Sequence, residues 1–279
     1  MVELKTERAV SRAGDEEAPR STYSTKTRAG AVAVSLAMIV HGLYLFGRYD
    51  TKWAFAVTAV GLSVLAAVFV SAGYLSAVPR WLRRDDAPFV LSFCMSAVIF
   101  VFLFVPGAVP DEFYHFFSTY KYSDVLTGQE VSDSYISMRG DDVLFVDSVL
   151  STKVSRESYG AVADSFSVFA EDSGYSKKVV DSTYSMTANV PQQRVPAALG
   201  IVLAKILGLG SVPLFYLGRL FNAAYSCMLI ILAVRIIPIG KNVFKIVSLL
   251  PMTLHLVGSY SYDGPSLGFA FLLSALILR

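Results

Sequence analysis

The chain has 279 residues, 54% of them hydrophobic and only 16% charged. That apolar excess is beyond what a soluble core of this length needs and marks a membrane protein. A formal net charge of +2 makes no case for nucleic acid as a partner. Two cysteines, Cys94 and Cys227, both inside apolar runs, build no disulfide framework.

Residues 1–28 mix six bases with five acids and bury almost nothing, which predicts a disordered tail. Residues 29–46 and 53–74 each supply about the 20 apolar residues that a bilayer core requires, so 29–75 is expected to be a transmembrane hairpin. His41 is a lone polar group in its first arm and receives no function. Arg80, Arg83 and Arg84 follow the hairpin, and Lys26 and Arg28 precede it. By the positive-inside rule both flanks, and with them the N-terminus, are cytoplasmic. The third span, 89–105, then runs outward.

Directly after it comes Pro110-Asp111-Glu112-Phe113-Tyr114-His115. Pro110 suits the first position of a new helix, having no N–H to leave unpaired. On that helix, expected to reach about Ser123, Asp111 and Glu112 lie four and three residues from His115, so the three can share a face. The aromatics that follow are of the kind that settles at headgroup depth, facing lipid along the membrane surface. Two readings fit. One is an interfacial helix whose first-turn acids complement its dipole for about 0.3–1 kcal/mol each. The other is a site.

From 109 to 195 the hydropathy collapses, with thirteen acids against seven bases, as suits an extracytoplasmic loop. Within it, 143–149 reads as a short strand or a buried helical turn, and 158–171 as a weak amphipathic helix. So long a loop is expected to be structured and functional. Residues 197–209, apolar around Lys205, are too short to cross and read as an interfacial or re-entrant helix.

Residues 212–237 form the fourth span. Tyr216, Arg219, Asn222 and Ser226 make a polar stripe on it, with Arg219 about 10 Å below the surface at 1.5 Å per residue. An arginine at that depth faces a cavity or a partner unless it snorkels, as Arg235 is expected to do. Residues 244–258 form a fifth span. It exits at Asp263 in an Asp-Gly-Pro turn, and 266–278 begin a sixth that looks cut short. The fold class expected is thus all-α, a polytopic bundle of about six spans with a large outer loop. By parity Asp111, Glu112, His115, Arg219 and Asp263 all face the outer leaflet.

Such a set suits two tasks, holding and reacting an anionic lipid headgroup, or relaying protons or ions in a transporter. A structural ion-pair cluster is the third reading. Carboxylate oxygens suit Mg²⁺ or Mn²⁺, with Asp111, Glu112 and His115 as ligands, although no spacing here assigns a metal.

The Pro110-Asp111-Glu112, His115-Phe116 pattern after an outward span resembles a family of bacterial multi-pass membrane proteins of unknown function. Further matching stretches follow in order: Pro191-Gln192, Pro196-Ala197-Ala198-Leu199-Gly200, Gly218-Arg219-Leu220-Phe221-Asn222, Leu249-Leu250-Pro251-Met252 and Ser261-Tyr262-Asp263-Gly264. They cover roughly 89–279, which would form part of a membrane domain. That family is similar to the GT-C glycosyltransferases. The resemblance implies a polyprenyl-phosphate-linked sugar as donor, used in envelope glycan or glycolipid assembly at the bacterial cytoplasmic membrane. It implies Asp111 or Glu112 as base or metal ligand and Arg219 as the group meeting the lipid phosphate, with His115, Asn222 and Asp263 as substrate-binding neighbours. The alternatives are a transporter or flippase for an envelope lipid or polysaccharide, for which no internal repeat is found, and a non-catalytic scaffold.

Overall fold

The computed structural model describes residues 86–129, 131–132, 135–150, 156–171, 174–179 and 191–279, together with Val32, Leu36 and Val40, which are helical. The expected tail, most of the hairpin and the arginine loop at 80–84 lie outside the described residues. The described part is mostly helical. It is built around α6 (Ser211–Ile236), whose 26 residues extend about 39 Å at 1.5 Å per residue. Among the described residues, this is the one helix long and apolar enough to cross a membrane.

Other helices are read against α6 by their contacts. α1 (Ala87–Leu103) runs antiparallel to it. Asp86 meets Arg235 at 2.7 Å at one end of the pair, and the Val101 and Val105 carbonyls accept from Arg219 at the other. Arg235 is thus paired with an acid. Near the Arg219 level the apolar surroundings change. Below it, Ala223, Ile230 and Ala233 pack with Phe93, Phe100 and Val257. Above it, Val212, Leu214 and Phe215 belong to a second core with Phe116, Met138 and Phe145. One helix therefore serves two cores, and Arg219 stands at their boundary, level with the C-terminal end of α1. The first two turns of α6 extend past the end of α1 into the second core.

The second core packs residues of the 109–195 segment, among them Phe116, Met138 and Phe145, against Ala197, Ile201, Val212, Phe215 and Tyr260. α2 (Glu112–Thr127) is separate from α1, as the sequence led us to expect. Its details differ. Pro110 is outside the helix, Asp111 is the N-cap, and the helix runs on past Ser123 until Gly128 ends it at φ 70°. Phe116, Phe117 and Tyr120 are 0–4% exposed in the loop core, not turned to lipid. They fit here because aromatic rings packed at tilted and edge-on angles, such as Phe116 on Phe215 at 4.9 Å, fill a protein core as well as an interface.

β1 (Tyr135–Arg139) and β2 (Tyr175–Val179) pair antiparallel, a two-stranded addition to the expected all-α class. Residues 143–149 fall in α3 (Gly140–Leu150), which resolves that ambiguity as helix. α4 (Arg156–Asp164) is shorter than the expected amphipathic helix, and Phe169 continues as a bridge to Leu209.

α5 (Pro191–Ile206) begins six residues before its expected start, with Pro191 at its first position. It stands beside α6, antiparallel to it, because Gly200 lies against the backbone of Leu217 and Gly218. The expected fifth span is broken into α7 (Lys241–Ser248) and α8 (Pro251–Val257). Proline has no N–H for the ladder and biases its predecessor away from helix, and Leu250 is extended at φ −62°, ψ 139°. α9 (Asp263–Ile277) starts at Asp263 and runs parallel to α6, with Gly264 against Ser226 and Gly268 against Leu229.

Candidate functional site

Where the two cores meet, the chain between α1 and α2 turns back on itself. Glu112 is the fastener. Its Oε1 accepts from Arg219 Nε at 2.7 Å and the Tyr260 amide at 3.2 Å, and its Oε2 accepts from Arg219 Nη2 at 2.6 Å and the Gly107 amide at 2.9 Å. Arg219 spends its remaining N–H groups on the carbonyls of Val101, Phe104 and Val105, at and just beyond the C-terminal end of α1. All five guanidinium donors are engaged within the chain, and both residues are buried. Neither turns a free polar atom to a ligand in this conformation.

Asp111 has the opposite character. It is the one non-glycine residue with positive φ (56°) among those described. An L-residue adopts that left-handed conformation at a cost, and outliers of this kind gather at functional sites. Its side chain is exposed and makes no capping bond to the helix it precedes.

Asp111 borders a cavity of about 350 Å³ shared with Tyr114, His115, His255, Tyr262 and Asp263. Asp263 Oδ2 accepts from Ser261 Oγ at 3.0 Å. The turn that presents Tyr262 and Asp263 is held by Asn222, whose amide donates to the carbonyls of Ser259 (2.8 Å) and Ser261 (3.2 Å). Asn222 is itself buried behind the cavity wall. The six sequence candidates thus separate. Asp111, His115 and Asp263 line one cavity, while Glu112, Arg219 and Asn222 form the framework behind it. The shared face expected for Asp111, Glu112 and His115 is not formed, since Glu112 turns inward to the arginine.

Sequence reasoning missed Arg194. It is 2% exposed, donates through Nη1 to the His115 carbonyl and lies with Nη2 3.0 Å from His115 Nδ1. Its signal was present. Once the helix is begun at Pro191, Arg194, Ala198, Ile201 and Lys205 recur at helical spacing on one buried face. Burial pulls the His115 imidazole down from its usual 6.5 to about 4, helped by Arg194 and opposed by Asp263 and Asp111.

These residues do not fit a divalent cation. Glu112 has its four acceptor directions filled, and His115 Nδ1 faces an arginine donor. Among the described residues no three His, Cys, Asp or Glu side chains converge as a metal site.

Comparison with curated proteins and with solved structures finds no match. A family model described as "Predicted membrane protein (DUF2142)" matches residues 94–279, from the middle of α1 through α9 and including the whole cavity. The chain therefore belongs to the DUF2142 family of predicted membrane proteins.

Proposed function

We propose that this membrane protein is a GT-C-like glycosyltransferase that takes its sugar from a polyprenyl-phosphate donor for envelope glycan or glycolipid assembly, with Asp111 as general base. The carrying observation is the Asp111 carboxylate, strained in its backbone, open to the cavity, and lying where the two apolar cores meet. Of the two candidate bases Glu112 has no lone pair to spare, which favours Asp111. In the proposed step Asp111 takes the proton of an acceptor hydroxyl as that oxygen bonds the sugar carbon. The bond from that carbon to the phosphate oxygen breaks, and polyprenyl phosphate leaves. Arg219 has no free donor for the phosphate, so in this reading it positions the Asp111 turn through Glu112. Asn222 likewise positions Asp263. The N-terminus would be cytoplasmic and the cavity would face outward across the bacterial cytoplasmic membrane.

The test is release of polyprenyl phosphate from a synthetic polyprenyl-phosphate sugar by the full-length protein in membranes. Asp111→Asn is expected to lower the rate about 10²–10⁴-fold with folding retained, the usual range for loss of a general base. Undiminished release by Asp111→Asn overturns the assignment. Movement of the intact lipid across the membrane without release would make the protein a transporter.

A further inference from the structure

Arg194 is unusual for a buried arginine because it faces no acid among the described residues. Its guanidinium carbon lies 5.7 Å from the Tyr114 ring and 5.5 Å from the Tyr262 ring, and its Nε has no hydrogen-bond partner among the described residues. Two contacts from its terminal nitrogens go to His115. A guanidinium only donates, so Nδ1 of His115 must accept. A neutral imidazole that accepts at Nδ1 carries its proton on Nε2. His115 is 6% exposed, and no bond to its Nε2 is formed by the described residues. Its ring lines the cavity together with Asp111 and Asp263.

We infer that Arg194 is a positioning residue that holds His115 as an Nε2–H donor, so that the cavity recognises an uncharged, hydroxyl-bearing group: one ligand oxygen accepts from His115, and ligand hydroxyls donate to Asp111 and Asp263. The ligand class rests on the reading of this cavity as the transfer site, whereas the Arg194–His115 contact does not. Two carboxylates repel a phosphate from the same space, and an N–H directed into it opposes a metal ion. A hydroxyl group both donates and accepts, as these three side chains require. The charged groups facing His115 are Arg194 from α5, Asp111 ahead of its own helix and Asp263 from α9. Tyr262 meets its ring edge-on at 4.9 Å. The two acids favour imidazolium, while Arg194 and burial oppose it and prevail.

The chain has three histidines, so ring-labelled protein in nanodiscs gives a spectrum that His41→Asn and His255→Asn variants assign. At neutral pH His115 should show the Nε2–H tautomer alone. In Arg194→Met the two tautomers should mix and the midpoint should rise from about 4 toward 6.5, with partial restoration in Arg194→Lys. A wild-type His115 that is protonated on Nδ1, or already charged at pH 6, overturns the inference, and this reading stands even if Arg194→Met does not fold. Methyl glycosides of glucose, galactose and mannose should shift the His115 Nε2 resonance, while inorganic phosphate should not. A shift with phosphate, or none with any glycoside, overturns the ligand class. Glycoside binding by a protein that releases no polyprenyl phosphate would defeat the transferase reading and leave this one intact.

Discussion

At the scale of single residues, the Glu112–Arg219 pair governs the position of everything near it. Removing one partner of a buried ion pair leaves the other charge desolvated and typically costs about 3–5 kcal/mol. Arg219→Met and Glu112→Gln are each expected to destabilise by that order, read from thermal unfolding in detergent. The double variant should lose less than the sum of the two, since neither charge is then stranded. A neutral outcome for Arg219→Met would mean that the α1 carbonyls find other donors.

His115 supplies a pH dependence with a definite sign. Its folded value near 4 lies below the unfolded 6.5, so the unfolded chain binds the proton first. Its contribution to stability is complete above pH 6.5 and is lost as pH falls toward 4, amounting at most to roughly 3 kcal/mol. Asp124, which burial pushes up to about 6, acts in the opposite direction across the lower part of this window. The His115 contribution is therefore read as the difference between wild type and His115→Asn. Equal slopes for the two proteins between pH 4 and 6.5 would contradict it.

At the scale of elements, the α5–α6 hairpin depends on glycine for its closeness. A Cβ on Gly200 would lie 2.8 Å from the Leu217 carbonyl oxygen, a backbone atom that has little freedom to give way. Gly200→Ala is expected to cost about 1–3 kcal/mol as overpacking. An unchanged melting temperature would place the helices farther apart than described. The sequence revealed α1, α2 and α6 well, because each is a long segment whose apolar content or flanking turn residues speak locally. It misleads at α5, where apolar content marks only residues 197–209 and the polar first turn that carries Arg194 has no apolar signal of its own. It also misled at residues 244–258, where apolar content concealed the break that Pro251 imposes. The candidate site was half legible. Spacing put Asp111, Glu112 and His115 on one face, but which of the two acids lines the cavity beside His115 depends on a left-handed turn at Asp111 that helical periodicity does not encode. The β1–β2 pairing is a contact between distant segments, for which neither strand carries a strong alternation.

At the scale of the molecule, α6 serves two cores, with the change near Arg219, and we propose that its membrane-embedded part begins there. A cysteine placed at Leu207, which is 53% exposed, should react with an impermeant maleimide in a background lacking the two native cysteines. One placed at Met228, 54% exposed yet below the boundary, should not react. Equal reactivity at both would remove the boundary from this level.

The shared helix also constrains how the protein is made. Phe116 closes on Phe215 and Tyr260, which leave the ribosome roughly a hundred or more residues after it. At about 5–20 residues per second that gap lasts several seconds or longer. During it α2, the strands and α3 are already synthesised, while the apolar pillar they enclose is not. The second core thus cannot be completed from residues 109–195 alone. It must wait, aromatic side chains uncovered, for α6 to be made and packed, so the arrival of α6 is the event that joins both cores.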